Sequence, residues 1–187
     1  MRPRAERGMS LIELMIAMVV LAIGLGGVTT LLVTAIASNN RNSRDTTATL
    51  LAQMVIEQIS AQHPYASIPI TVTDCAGNPK TINSDSGAVG TGAGANLKAD
   101  GTIDFTQSST TLIANGYAMS YIDCSVAGGI QTTYDVRWNV MSVSTNTSSR
   151  MITAAARPQA STVNQLGGFY FALPVNLRSI GAPGAMQ

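Results

Sequence analysis

An α+β fold is predicted: a long N-terminal helix, apolar in its first half and amphipathic in its second, packed on an antiparallel β-sheet. Three observations predict it. No proline occurs between Met9 and His63, so nothing in that stretch removes a backbone donor from a helix. Apolar residues fill the first half of the stretch and recur at three- and four-residue steps in the second. After Pro64, runs of β-branched and aromatic residues alternate with turn formers, which is the pattern of consecutive short strands.

The helix begins behind a short basic leader. Arg2, Arg4 and Arg7, with Glu6 among them, end at Gly8, and the run Met9-Ser10-Leu11-Ile12-Glu13-Leu14-Met15-Ile16-Ala17-Met18-Val19 follows at once. From Leu14 to Asn40 no ionisable side chain appears. At 1.5 Å per residue, Leu14 to Ala37 exceeds a bilayer core of ~30 Å. Glu13 is the exception in this run. A carboxylate costs roughly 2.5–3.5 kcal/mol at the centre of a membrane helix and less near its ends, so its presence calls for a job.

Three readings compete for this segment. A secretory signal peptide would use Ala35-Ile36-Ala37 as its cleavage site, but its apolar core should run only about 7–15 residues. A plain signal anchor explains the length and leaves Gly8 and Glu13 as accidents. The third takes every feature together: the segment resembles the class III leader of type IV prepilins and pseudopilins. In that family a short basic leader ends in glycine, the first mature residue is apolar, and the fifth is glutamate.

The resemblance implies that a prepilin peptidase cuts between Gly8 and Met9, that Met9 becomes the N-methylated mature terminus, and that Glu13 is the assembly acid. The run through Leu21-Ala22-Ile23-Gly24-Leu25 is most similar to minor pilins of the V type. The family often starts with Phe, so Met9 is a departure.

Composition agrees with an exported, membrane-anchored chain. Charged residues are 11% of the 187, and mean hydropathy is +0.21, against about 25% charged in ordinary soluble domains. Cleavage would remove Arg2, Arg4, Arg7 and Glu6, taking the formal charge from +1 to −1. Neither sign dominates, so charge predicts no nucleic-acid or anionic-lipid partner. The leader arginines outweigh Arg41 and Arg44 beyond the span, which keeps the N-terminus cytoplasmic with the rest exported. The resemblance implies a single-pass protein of the bacterial inner membrane that then reaches the pilus or cell surface. Cys75 and Cys124 fit export. The chain has one histidine, His63, so a four-ligand zinc site lacks donors, and a disulfide is the simplest use of the pair. Closing a loop of about 50 residues would contribute roughly 4 kcal/mol on the chain-entropy view.

Past the span, Ala48, Leu51, Ala52, Val55 and Ile59 form a stripe, widened by Leu50 and Met54. A helix over Met9–Gln62 would be about 80 Å long. Pilins commonly carry a helix-bending proline in the stem; none is present here, and Gly24, Gly26 and Gly27 are read as the soft point instead. Ala17, Ala22, Gly24 and Gly27 offer small residues for close stem packing. Strands are predicted at Ile68–Thr73, Ala118–Val126, Thr132–Ser144, Arg150–Arg157 and Phe169–Leu177, with Pro174 marking the last as an edge or interrupted strand. In the third, Tyr134, Val136, Trp138 and Val140 alternate with Asp135, Arg137 and Asn139, which makes Tyr134 and Trp138 core residues. Residues 76–104 are rich in Gly, Ala, Ser, Asn and Thr and read as a long surface loop, with a short strand around Ile103. The organisation is then a leader (1–8), a transmembrane or filament-core helix (9–37), an amphipathic continuation (38–63) and a β-rich head (64–187).

No catalytic constellation emerges. Gly90-Thr91-Gly92-Ala93-Gly94 lacks the Lys-Ser/Thr of a phosphate loop. Asp100 and Asp104 are the candidates for a Ca²⁺ site, but no twelve-residue EF-type loop surrounds them, and a solvated turn is the preferred reading. Asn146-Thr147-Ser148 fits glycosylation only in a eukaryotic secretory context. No cofactor is expected. The resemblance implies a structural subunit, a minor pilin that primes assembly or caps a type IV pilus and supports adhesion, twitching motility or DNA uptake. Its implied partners are prepilin peptidase, other pilins or pseudopilins along the stem, and the inner-membrane assembly platform. A minor pseudopilin of a type II secretion system shares the same plan, and a tip adhesin taking DNA or a surface through the Gly-rich loop is the rival of another class.

Overall fold

A computed structural model describes residues 10–63, 68–124, 132–145, 149–159 and 173–181. The chain divides into two units, Met1–Ser43 and Arg44–Gln187. Helix α1 (Leu11–Ser60) begins in the first and supplies its second part to the other. The absence of proline and the density of Leu, Met, Ala and Ile account for its length. The predicted long helix followed by an antiparallel sheet is the observed architecture.

In the first unit α1 is uncovered along its length. Leu11, Ile23 and Leu31 are 76, 72 and 71% exposed, and Leu14, Val20 and Ile36 are exposed as well. α1 is long and apolar enough to cross a membrane.

The second unit is built around a five-stranded antiparallel sheet. β3 (Ala93–Gly94), β5 (Thr132–Ser142), β6 (Arg150–Pro158) and β7 (Val175–Gly181) lie in that order, and β4 (Ala118–Asp123) also pairs with β5. β1 (Ile70–Thr73) and β2 (Pro79–Ile82) form a separate hairpin, and a short helix α2 (Ser109–Ala114) precedes β4. β4, β5, β6 and β7 each pair antiparallel with the strand next in sequence. β7 lies at the end of the order, with Pro174 just before it, as the missing proline donor requires. The predicted residues Phe169–Ala172, Ser125–Val126 and Asn146–Ser148 fall outside the described residues.

The core forms between the second part of α1 and one sheet face. Ala48, Leu51, Ala52, Val55 and Ile59 are buried together with Tyr134, Val136, Trp138, Val140, Ile152, Ala154 and Ala156. Leu50, counted into the stripe from sequence, is 58% exposed and faces away. At about 100° per residue it lies nearly half a turn from the axis of the stripe, on the opposite side of the helix. Trp138 is fully buried, and its indole N–H donates to the Asn83 carbonyl at 2.9 Å. At ~25 cal/mol per Å² and roughly 150–250 Å² per large aromatic, Trp138 and Tyr134 contribute at most about 4–6 kcal/mol each.

The opposite sheet face is covered too, which the alternating pattern did not predict. Asp135, Arg137, Asn139 and Thr153 are all buried. The segment from Ala95 to Gln107 lies over them: Arg137 donates to the Gln107 carbonyl at 2.6 Å, and Asn139 to that of Ala95 at 2.8 Å. The Ile103 N–H donates to Asn176 Oδ1 at 3.1 Å. The Phe105 ring takes the Arg137 and Arg157 guanidinium groups at 4.9 and 4.4 Å from its centroid. The Gly-rich stretch is therefore more ordered than a surface loop. It contains β2 and β3, and buries Ile82, Ser84, Ala95 and Ile103. Glycine is required at Gly94, where φ is +100° and a Cβ would sit 2.5 Å from the Trp138 carbonyl.

Candidate functional site

The site predicted from sequence lies at the start of α1. Gly8 and Met9 fall outside the described residues. Ser10 is the last residue before the helix, and its carbonyl accepts the N–H groups of Glu13 at 3.0 Å and Leu14 at 3.2 Å. Glu13 is therefore in the first helical turn, where a carboxylate opposes the partial positive charge of the helix N-terminus. Its side chain is exposed, in a turn otherwise lined by exposed Leu11, Ile12 and Leu14. Chemically this is one acceptor-only anion in an apolar surface, suited to a cation approaching from outside the chain.

Farther along, the hydroxyls of the apolar run are bonded within the helix. Thr29 donates to the Leu25 carbonyl at 2.8 Å, Thr30 to Gly26 at 3.0 Å, and Thr34 to Leu31 at 2.9 Å. Each bond removes a polar group that would otherwise have to be desolvated bare. A Cβ added at Gly24, Gly26 or Gly27 would meet nothing within 4 Å, so no packing within the chain requires these glycines.

Cys75 and Cys124 are joined as a disulfide with Cα atoms 5.9 Å apart. The bond ties the turn between β1 and β2 to the end of β4. Beside it, Asp74 is buried. Its carboxylate accepts the Ala76 and Asn78 N–H groups at 3.1 and 2.8 Å and pairs with Lys80 at 3.5 Å. Burial pushes this carboxyl up, but the Asn78 hydrogen bonds and the Lys80 charge outweigh it and hold the pKa below the ordinary value.

Asp100 and Asp104 each close their own turn. Asp100 Oδ1 accepts from the hydroxyl and N–H of Thr102 at 2.7 and 2.9 Å, and Asp104 Oδ1 from the N–H and hydroxyl of Thr106 at 2.8 Å each. Those bonds lower both pKa values. Among the described residues no three His, Cys, Asp or Glu side chains gather as a metal site would require. Asp100 and Asp104 act as turn-forming residues.

Two polar constellations were not foreseen from sequence. Asp135 takes Arg137 bidentately at 2.9 Å for both bonds and is also reached by Arg157 at 3.4 Å. Arg150 is buried and, among the described residues, meets carbonyls and not a carboxylate. It donates to the carbonyls of Ser84 at 3.3 Å, Gln62 at 2.7 Å and Ile59, so it satisfies the C-terminal end of α1. The only sequence signal for either was an arginine at a strand position.

Residues 3–29 match the family described as the prokaryotic N-terminal methylation motif. The chain thus carries the class III leader of prepilins. Neither the curated proteins nor the solved structures compared with it gave a match.

Proposed function

We propose that the protein is a minor pilin of a type IV pilus, a non-catalytic subunit that primes assembly or sits in or at the tip of the filament. In this reading prepilin peptidase cuts after Gly8 and Met9 becomes the methylated terminus. Residues 9–37 lie first in the inner membrane and then in the filament core, 38–63 continue the stem, and 64–187 form the exported head. The carrying observation is the methylation motif over residues 3–29 running directly into a helix whose apolar side chains, Leu11 to Ile36, are uncovered. A helix apolar all round needs lipid or other helices around it.

Glu13 gives that assembly its register. Removed from water, a carboxylate has to be paired. Cleavage after Gly8 creates a matching cation, the amino terminus of a neighbouring subunit.

Intact-mass analysis of the membrane-extracted protein tests the processing step. The expected species begins at Met9 and is heavier by one methyl group. A chain beginning at Ser38, or one retaining Met1, overturns the reading. Probing sheared pili for the head then separates a pilin from a pseudopilin, which would remain with the cell envelope.

A further inference from the structure

One row beyond Asn139 and Thr153 on the same sheet face, the side chains are apolar. Met141 on β5 stands opposite Met151 on β6, and Met151 opposite Ile180 on β7. Both methionines are half-buried, and Ile180 is 68% exposed. Asn139 and Met141, successive on this face, each hold the backbone of the turn at residues 88–92. Asn139 Nδ2 donates to the Thr91 carbonyl at 3.1 Å, and Met141 Sδ accepts the Gly90 N–H at 3.0 Å, in an exposed contact. The base of the turn closes on backbone. Gly92 N–H donates to the Ala88 carbonyl at 2.9 Å, Gly87 N–H to that of Val140 at 2.9 Å, and Ser142 N–H to that of Gly87 at 3.1 Å. At its tip the Gly90 N–H rests on a thioether, which is a weak acceptor.

We infer that Met141 is a peroxide-sensitive modification site: oxidation of its thioether to the sulfoxide detaches the Gly90 N–H while the fold stays intact. A sulfur lone pair attacks one oxygen of hydrogen peroxide, and the O–O bond breaks. The hydroxide that leaves takes the proton of the transferred hydroxyl, giving one sulfoxide and one water. Sulfur loses two electrons and the peroxide gains them. A thioether sulfur has two lone pairs, so the Gly90 bond leaves one for the oxidant. The product no longer fits the contact. With the new oxygen between Sδ and Gly90, the 3.0 Å gap would have to widen to roughly 4 Å to admit an N–H···O bond of about 2.9 Å. With the oxygen turned elsewhere, the sulfur has lost the electron density that made it an acceptor. The backbone bonds of Gly87, Gly92 and Ser142 do not involve the sulfur, so the effect is confined to the tip of the turn. Met119, 2% exposed, is the protected counterpart within the same sheet. The inference does not depend on entry into a filament.

The test treats the full-length protein in detergent with hydrogen peroxide, without denaturant. Peptide mass mapping and the exchange rate of the Gly90 amide are followed together. The Met141 peptide should gain one oxygen atom while the Met119 peptide stays unmodified. The Gly90 amide should then exchange about tenfold faster, with the Gly87 and Ser142 amides unchanged. Met141→Leu, which keeps the volume, should show the fast Gly90 exchange before peroxide and no further response to it. Met151→Leu should leave the response intact, which separates the two neighbouring sulfurs. A Met141 that resists peroxide in the folded protein overturns the inference. So does oxidation of Met119 in step with Met141, because the oxidant would then be acting on an opened sheet. A Gly90 amide that exchanges as slowly after full conversion of Met141 as before also overturns it.

Discussion

Arg150 shows how much can rest on one side chain. Its guanidinium replaces water at three carbonyls, two of them at the end of α1, and burial lowers its pKa from the ordinary value. Among the described residues the carbonyl bonds and the negative end of the helix dipole offset the desolvation. Arg150→Met, which keeps the stem's volume, should destabilise the head by about 3 kcal/mol through the carbonyls it strands. Denaturant unfolding followed by Trp138 fluorescence measures this, and Arg150→Lys should recover part of the loss. Glu13 makes the opposite case, because it lies in the first turn of α1, in the other unit. Glu13→Val should leave head stability unchanged and insertion intact while depleting the protein from sheared filaments, as read by immunoblot of both fractions. Normal incorporation of that variant would show that the acid has no assembly role.

Among the elements, what could be read in advance divides along a physical line. The second part of α1 and strand β5 carry strong local periodicity, and the order of the strands sufficed to predict an antiparallel sheet. β7 was read only in part, as Phe169–Leu177 where the strand is Val175–Gly181. β2, β3 and α2 are short pieces with too few residues to show a period; β2 pairs with the adjacent β1, and β3 is placed by a partner far along the chain, Ala93 opposite Val140. The alternation in β5 told which side chains share a face. It could not tell that Ala95, Ile103 and Phe105, scattered among Gly, Asp and Thr, would cover the polar face. Once covered, that face needs its charges paired. Asp135→Ala should therefore cost about 3–5 kcal/mol by leaving Arg137 buried without its carboxylate. Adding Arg137→Leu should return part of that loss, and the difference in unfolding midpoints between single and double variants gives the coupling. Strictly additive losses would show that the pair is not acting as a unit. The leader was legible for another reason: the methylation motif over residues 3–29 is a property of linear sequence.

For the molecule as a whole, stability should form a plateau across neutral pH and fall at both ends, for reasons that can be assigned to residues. At the acid end, Asp74, Asp100 and Asp104 all have pKa values below the ordinary 3.8. A carboxyl depressed on folding contributes stability above its unfolded pKa and loses it as pH falls through the folded one. The loss should thus begin near pH 4 and deepen below it. At the alkaline end, burial raises Tyr121 and Tyr134, and burial with the Asp85 charge pushes Tyr117 up to about 12. A raised phenol keeps its proton longer in the fold, so its contribution is intact below pH 10 and disappears as pH climbs toward 12. Thermal unfolding of the full chain in detergent from pH 2 to 11 measures both limbs. Asp100→Asn with Asp104→Asn should lower the neutral plateau and flatten the acid limb, since the amides cannot titrate and are weaker acceptors for Thr102 and Thr106. An unfolding temperature that stays level from pH 6 down to 2 in the unmodified protein would show that these turn carboxylates stabilise nothing.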